Sequence, residues 1–268
     1  MPPSNRLFKY EAFSTRSLLN LKKQIIHFGS PLNFNDPYDC AVTPSIAEPS
    51  DQDVESIRTH YTSQPDMPAA ARKQFQESSI QALRDIFLRS ARKTLRDSVE
   101  DFLSRRGVAC FSERNDDLLM WSHYGGQYRG FCLEFDTTAE PFRRIFPVRY
   151  VKALPTVSVR SLLLDDTFNP VQELFCTKSE AWSYEREWRA IHDSAGTEYC
   201  YPPSALTAVY FGPDIDQQTL EIICLVLSGQ NDTVRFFRGQ RSGTEFKVTF
   251  EAFTYMSHLQ AKRSGLLN

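Results

Sequence analysis

The sequence predicts an α+β fold with a mixed or mostly antiparallel central sheet. Short segments rich in β-branched and aromatic residues occur in both halves of the chain, and an amphipathic helical pattern occupies about residues 68–106 between them. No internal repeat or change of composition marks a second domain. We therefore predict a single α+β domain over residues 1–268, with a helical insertion over about residues 44–106.

The N-terminal segment predicts a strand, a helix and a second strand in that order. Residues 6–12 have the composition of a strand, and Ser14 or Thr15 can cap the short helix that follows. Residues 24–30 predict the second strand. Residues 31–39 then predict a turn-rich loop, because the Asp-Pro pair within them disfavours a helix.

The insertion predicts a loop followed by helices. Residues 44–68 contain four prolines and many polar residues, so we expect a loop or a loosely structured segment there. From Pro68 to Arg106, apolar residues recur at helical spacing and the opposite face is charged. This pattern is typical of one or two surface helices packed on a sheet.

The second half predicts further strands and one helix. The helix is capped by Asp214 or Asp216 and continues through Leu227. The segments predicted as strands are residues 107–112, 130–135, 147–151, 187–192, 208–212, 233–237 and 246–251.

Composition and charge exclude several classes of protein. The chain has 268 residues, of which 41% are hydrophobic and 13% aromatic, enough for a sizeable core. The net charge of -2 gives no overall attraction to nucleic acid or membranes. The first six residues lack an apolar signal core, and no apolar run approaches the ~20 residues that span a bilayer. We expect a soluble cytoplasmic protein without a membrane partner.

The cysteine and histidine positions do not indicate a metal site. The six cysteines form no C-x-x-C motif, and the five histidines are scattered without an H-x-x-x-H motif. Several cysteines lie within apolar runs, which predicts buried, reduced thiols.

Residues 182–189 read W-S-Y-E-R-E-W-R and are the strongest candidate for chemistry. As a strand, this octet would place Glu185, Glu187 and Arg189 on one face. Such charges are costly to bury unless they pair with each other or with a ligand. The octet is therefore either a structural ion-pair network or a polar site. In the second case, a glutamate can bind a ribose hydroxyl or stabilise an oxocarbenium ion.

The segment from Asn115 to Gly130 is rich in aromatic rings and hydrogen-bond donors. If it contains a short helix, Met120 and Trp121 can dock that helix on the sheet, with His123 satisfied in the core. Alternatively, His123 and Tyr124 donate hydrogen bonds to a ligand or stack on it, and the Gly-Gly pair that follows lets the backbone approach closely.

The order of motifs resembles the bacterial domain-of-unknown-function family 2971. The resemblance extends from about Leu7 to Phe250. It is carried by K-Y at residues 9–10, F-G-S-P-L-N-F-N-D-P-Y-D at 28–39, C-F-S-E-R-N-D-D-L-L-M-W-S-H-Y at 110–124, G-F-C-L-E-F-D at 130–136 and the octet. This family supplies no established activity.

The layout is also similar to the ADP-ribosyltransferase superfamily. Its members have a basic or aromatic residue on an early strand, a serine at a later strand end, and a late E-x-E pair. The resemblance implies that Ser30 is the serine at the later strand end and that Glu185 and Glu187 are the late E-x-E pair. The basic or aromatic residue on the early strand would be Arg6, Lys9 or Tyr10.

The resemblance implies an enzyme that uses NAD as substrate and transfers ADP-ribose to protein, nucleic acid or water. Glu187 would position the nicotinamide ribose, and Glu185 would orient the acceptor. By analogy, the enzyme would be a toxin or phage-defence effector. The remaining expected NAD contacts are stacking or hydrogen bonding by Tyr10, Trp121, His123 and Tyr124, a contact from Ser30, and pyrophosphate binding by Arg6, Lys9 or Arg189.

Two other functions fit the same residues. One is a non-catalytic module that binds a nucleotide or peptide, with the octet purely structural. The other is a nuclease in which Asp36, Asp39, Glu185 and Glu187 surround Mg²⁺.

Overall fold

The computed structural model describes residues 5–40, 44–140, 142–165, 171–231 and 233–266. The first four residues, part of the stretch predicted to lack a signal, lie outside these ranges. The helices are α1 Thr15–Lys23, α2 Asp51–Ser63, α3 Ala69–Glu77, α4 Ile80–Arg105, α5 Leu118–His123, α6 Val159–Leu164, α7 Gln217–Ser228 and α8 His258–Arg263. The strands are β1 Arg6–Glu11, β2 Ile25–His27, β3 Ser45–Ala47, β4 Gly107–Ser112, β5 Phe131–Asp136, β6 Ile145–Pro147, β7 Arg149–Val151, β8 Thr156–Ser158, β9 Thr177–Ser179, β10 Glu187–His192, β11 Glu198–Cys200, β12 Leu206–Phe211, β13 Arg235–Arg241 and β14 Val248–Phe253.

The chain divides into two compact units. The first contains Met1–Gly29, Gly107–Val148 and Ala181–Asn268, and the second contains Ser30–Arg106 and Arg149–Glu180. About 42% of the residues are helical and 26% are in strands, which confirms the predicted α+β class. Of the described helices, none is long and apolar enough to cross a membrane.

The first unit is built on an eight-stranded sheet. Its order is β14-β13-β12-β5-β1-β4-β10-β6. Neighbouring strands run antiparallel except β12 and β13, which are parallel. The sheet is thus mixed and mostly antiparallel, as the sequence predicts.

Alternation of side chains gives this sheet two distinct faces. One, here called the α7 face, packs Phe111, Leu133 and Trp188 against apolar side chains of α1 and α7. The other, the α5 face, packs Tyr10, Cys132 and other side chains against Met120 and Trp121 of α5. Residues of regular strands in this sheet can therefore be assigned to one face from their neighbours.

Capping residues set where the predicted helices begin. Ser14 accepts a hydrogen bond from the Ser17 amide and caps α1, and Asp216 accepts one from the Thr219 amide and caps α7. Both were candidates from the sequence. The two helices then bury apolar residues on the α7 face.

The second unit corrects the prediction for residues 44–68, which was wrong in expecting a loop. This segment contains β3 and the 13-residue α2. Ser50 caps α2 and exchanges hydrogen bonds with Asp53, while Val54 and Ile57 are fully buried against Leu83 and other α4 residues. The prolines lie outside α2, so they restrict the length of this helix but do not prevent it from forming.

Replacing Ser50 by alanine is expected to lower the free energy of unfolding by about 1 kcal/mol, because it removes the helix cap. Urea denaturation followed by circular dichroism measures the change. Ser56→Ala is the matched control: Ser56 lies within α2 and donates only to the Gln52 carbonyl. Equal stability of the two variants would contradict a capping role for Ser50.

The six cysteines, all within the described residues, form no disulfide. Cys40, Cys132, Cys176 and Cys224 are buried, as the apolar context predicts. Cys200 departs from the prediction, because it is exposed at the end of the two-stranded β11–β2 sheet.

Candidate functional site

The octet 182–189 is not one strand, so the predicted common face for all three charges is wrong. Its first four residues belong to a 3₁₀-helix spanning Glu180–Glu185, and β10 begins at Glu187. Arg186 separates them with φ of 43°, and its amide donates to the Ser183 carbonyl at 3.3 Å. The chain therefore turns between the two glutamates and gives them different environments.

Glu187 and Arg189 form a buried ion pair on the α5 face. The Arg189 Nε donates to Glu187 Oε1 at 2.8 Å, and Nη2 donates to Oε2 at 2.9 Å. Arg189 is 0% exposed and Glu187 5%. Burial, reinforced by the Glu187 charge, raises the pKa of the adjacent Cys110 thiol well above its usual value. This geometry favours the interpretation of Glu187 as part of a structural ion pair.

Glu185 is also buried, but it bonds to different groups. The Tyr124 hydroxyl donates to Glu185 Oε1 at 2.6 Å, and the Ser112 hydroxyl donates to the Glu185 backbone carbonyl at 2.7 Å. Tyr124 follows the end of α5, and Ser112 ends β4. Two separate elements therefore fix the carboxylate and its backbone.

Four aromatic side chains gather beside Glu185 and are here called the ring cluster: His123, Tyr124, Trp182 and Tyr184. The centroid of the His123 ring lies 6.4 Å from that of Tyr184, 6.3 Å from Trp182 and 6.2 Å from Tyr124. Trp182 and Tyr184 are 6.0 Å apart. His123 is exposed and the other three are half-buried. Through Tyr124, the cluster is directly bonded to the Glu185 carboxylate.

The position of α5 follows from its own sequence. Asp117 accepts hydrogen bonds from the amides of Leu119 and Met120 and starts the helix. Trp121 is 0% exposed, and its Nε1 donates to the Asn115 carbonyl at 2.7 Å. Docking of the helix through Met120 and Trp121 is thus confirmed, whereas the expectation of a core position for His123 is wrong. The anchored helix presents His123 at its exposed end.

The two glycines after α5 serve packing and chain reversal. A Cβ at Gly125 would lie 2.5 Å from the Trp121 ring, and Gly126 has φ of +58°. Both requirements arise within the α5 turn. The close approach that Gly125 allows is therefore to Trp121.

None of the three predicted site residues on β1 is a member of the ring cluster, although Tyr10 lies in the buried core of the α5 face against which Tyr124 and Tyr184 pack. Lys9 is on the α7 face, 5.7 Å from the Phe111 ring centroid, and pairs with Glu11. Tyr10 is buried edge-on against Trp121, and its hydroxyl donates to the Arg114 carbonyl at 2.9 Å. Burial raises the pKa of Tyr10 well above its usual value. Arg6 lies beside Glu134 in β5.

The remaining predicted residues lie in the second unit. Ser30 caps a short 3₁₀-helix by accepting from the Leu32 amide, and Asp36 accepts from the Tyr38 amide. Asp39 pairs with Lys178 at 3.2 Å, and both side chains are almost fully buried. No group of three His, Cys, Asp or Glu residues in the described part of the chain has an arrangement that would hold a metal ion.

Sequence reasoning did not single out three residues that the structure makes important. Trp182 and Tyr184 complete the ring cluster, and Glu134 is a further buried carboxylate, in β5. The signal for the first two was their place within the octet: Trp182 lies three residues before Glu185, and Tyr184 lies immediately before it. Glu134 gave no local signal, because it is a single acidic residue between apolar neighbours in β5.

The comparisons with known proteins connect this site to a family. Searches of curated proteins and of solved structures found no match. Nothing in these comparisons links the chain to the ADP-ribosyltransferase superfamily. A family model described as "Protein of unknown function (DUF2971)" matches residues 120–190, a stretch that contains the ring cluster, Glu185 and the ion pair. Over these residues, the chain is similar to the DUF2971 family of unknown function.

Proposed function

We propose that the protein binds NAD⁺ at the ring cluster and cleaves its nicotinamide glycosidic bond, an activity of ADP-ribosyltransferase type. The observation that carries this proposal is the buried Glu185 carboxylate, bonded to the Tyr124 hydroxyl at 2.6 Å beside three further rings. A carboxylate next to aromatic faces can hold both the ribose and the base of one ligand.

The ring cluster suits the nicotinamide end of NAD⁺. Oxidised nicotinamide is planar and positively charged, and aromatic faces attract both planar rings and cations. His123 is exposed, and Trp182 and Tyr184 are half-buried, so the cluster is accessible from solvent. A neighbouring carboxylate adds further attraction for a cationic ring.

Glu185 is the proposed catalytic residue. In the reaction, the bond between ribose C1′ and the nicotinamide nitrogen breaks, and its electron pair leaves with neutral nicotinamide. Glu185 would bind a ribose hydroxyl and stabilise the positive charge that develops on the ribose. Water or an acceptor side chain then bonds to C1′ and releases a proton.

This assignment moves the catalytic role that the sequence suggested for Glu187 to Glu185. Both oxygens of Glu187 accept hydrogen bonds from Arg189, whereas Glu185 is bonded to a member of the ring cluster. In the proposal, Glu187 and Arg189 support β10 beside the site as a neutral pair. A role as a toxin or phage-defence effector would follow from depletion of NAD⁺ in the cell.

The second candidate is a non-catalytic module that binds a nucleotide at the same cluster. The Glu187–Arg189 ion pair favours it, because both oxygens of Glu187 already accept hydrogen bonds from Arg189. Binding would use the same aromatic faces, with Glu185 as a hydrogen-bond acceptor. The two candidates differ in whether nicotinamide is released.

Incubation with NAD⁺, with and without cell lysate as a source of acceptor, tests both candidates. We expect nicotinamide release by the wild type and a loss of at least about 100-fold in Glu185→Gln, which removes the charge that stabilises the transition state. Glu251→Gln is the control, because Glu251 is exposed on β14. Chromatography quantifies nicotinamide, and calorimetry measures NAD⁺ binding by each variant.

Each outcome has one interpretation. NAD⁺ binding that needs Trp182 but gives no nicotinamide supports the non-catalytic module. Release by Glu185→Gln at the wild-type rate refutes the role of Glu185, and loss of release in Glu187→Gln alone returns that role to Glu187. Absence of both binding and release refutes both candidates.

A further inference from the structure

The F-N-D-P-Y-D segment at residues 34–39 belongs to the second unit, and the NAD⁺ proposal makes no use of it. The Asp36 carbonyl accepts from the Asp39 amide at 3.0 Å, and Asp36 Oδ1 accepts from the Tyr38 amide at 2.9 Å. These two bonds close a turn that has proline at its second position. The turn therefore fixes the Asp36 carboxylate and leaves the Tyr38 ring 64% exposed.

A cavity of about 330 Å³ lies beside this turn, and all the residues that line it belong to the second unit. Asp36 and Tyr38 line it from the turn. Strands β7 and β9, which are parallel neighbours, contribute Val151 and residues 177–179. Residues 152–155 follow β7 and complete the wall. The volume is in the range of sites that hold small molecules.

Asp36 brings a buried negative charge to the wall of this cavity. The residue is only 7% exposed, and the Tyr38 amide is the one group among the described residues that donates a hydrogen bond to its carboxylate. An ionised carboxylate has about four acceptor positions, so one amide leaves most of this capacity unused. A buried charge is costly unless a cation or further donors compensate it.

The two lysines that line the cavity are paired with other carboxylates. Lys178 Nζ lies 3.2 Å from Asp39 Oδ2, and both side chains are almost fully buried. Lys152 Nζ lies 3.8 Å from Glu180 Oε2 at the surface. Each pair is neutral, so the charged lining residues and these partners carry one net negative charge, that of Asp36. The cavity therefore attracts a cation more strongly than an anion.

Much of the remaining wall is apolar. Val151, Leu154 and Pro155 line the cavity together with the Tyr38 ring. Leu154 and Tyr38 are both exposed, so they lie where the cavity opens to solvent. The face of an aromatic ring also attracts cations. A ligand suited to this wall has an apolar body as well as a positive charge.

We propose that this cavity binds a small organic cation, a primary amine with a compact apolar body. Its ammonium group would donate to the Asp36 carboxylate and contact the Tyr38 ring. Its hydrocarbon part would pack on Leu154 and Pro155. The three N–H donors of an ammonium can use the acceptor positions that the turn leaves open. The site is separate from the NAD⁺ proposal, because none of its lining residues belongs to the ring cluster.

Ligand-observed NMR titration of the full chain with four ligands that share a phenyl ring tests the proposal. The ligands are cationic phenethylamine, neutral 2-phenylethanol, zwitterionic phenylalanine and anionic 3-phenylpropionate. We expect phenethylamine to bind at least about tenfold more tightly than each of the others, because it alone adds a positive charge without a carboxylate.

Two variants examine the charge and the apolar wall. Asp36→Asn keeps the shape of the side chain and the acceptor for the Tyr38 amide but removes the charge. It should weaken phenethylamine binding by at least about tenfold. Leu154→Ala removes apolar contacts at an exposed position and should weaken phenethylamine binding by about fivefold.

Matched controls make the same substitutions away from the cavity. Asp85→Asn changes an exposed carboxylate on α4 of the second unit, and Leu266→Ala shortens a side chain that is 66% exposed. Both should bind phenethylamine like the wild type. Thermal unfolding shows whether each variant is folded. If Asp36→Asn is not, Leu154→Ala and the four ligands on the wild type still test the proposal.

Several results would overturn the proposal. These are no binding of phenethylamine, equal or tighter binding of phenylalanine or 3-phenylpropionate, or wild-type binding by a folded Asp36→Asn. Equal weakening by Asp85→Asn and Asp36→Asn would show a general effect of charge and would refute the site as well. Nicotinamide release is a separate measurement, so failure of either proposal leaves the other unaffected.

Discussion

Replacing Arg189 by methionine is expected to lower the free energy of unfolding by about 3–5 kcal/mol. The substitution removes the cation that neutralises Glu187, a carboxylate with only 5% exposure. Water cannot compensate that charge where it lies, so the folded state becomes less stable. Urea denaturation followed by tryptophan fluorescence measures the difference.

Two control variants distinguish the loss of stability caused by breaking the Glu187–Arg189 ion pair from a general effect of removing an arginine. Arg105→Met removes a guanidinium from an exposed pair with Asp101 on α4 and should change stability by less than about 1 kcal/mol. The double variant Glu187→Leu/Arg189→Met removes both buried charges and should recover most of the lost stability. If Arg189→Met behaved like Arg105→Met, the ion pair would not be a structural element.

Replacing Trp121 by alanine is expected to lower the free energy of unfolding by about 3–5 kcal/mol, the usual range for a fully buried large ring. Trp121 is 0% exposed, packs edge-on against Tyr10 at 5.2 Å, and donates to the Asn115 carbonyl. Its loss would leave a cavity between α5 and the sheet. Thermal and urea denaturation both report this change.

Trp182→Ala provides the matched comparison, because Trp182 is half-buried and belongs to the ring cluster. We expect it to keep more of the wild-type stability than Trp121→Ala and to weaken NAD⁺ binding. The opposite result, with Trp182 needed for folding and Trp121 needed for binding, would contradict the division between structural and ligand-facing tryptophans.

Local signals were sufficient for most of the secondary structure. Strands β4, β5, β10 and β12 coincide closely with runs rich in β-branched and aromatic residues. The caps Ser14 and Asp216 were among the candidates, because an N-cap side chain bonds to amides only two or three residues away. Such interactions depend on neighbours in the sequence, so the sequence reveals them.

The main error in secondary structure came from giving prolines too much weight. Pro49 and Pro65 flank α2, and the capping pair of Ser50 and Asp53 was visible in the sequence. The helix forms because Val54 and Ile57 are buried by α4, which follows 20 or more residues later. Tertiary packing thus outweighs the polar composition of this segment.

By itself, the sequence determined the α+β class and the order of most elements, and it indicated the octet and the α5 segment as candidates for a site. These depend on local periodicity, capping and composition. Only the tertiary structure decided that Glu187 pairs with Arg189, that Glu185 bonds to Tyr124, and that Glu134 gathers two arginines. Such pairings join distant residues, 101 positions apart for Glu134 and Arg235, or depend on a turn at one residue with positive φ. Their physical cause is the need to compensate each buried carboxylate, which is met by whichever donors the fold brings close.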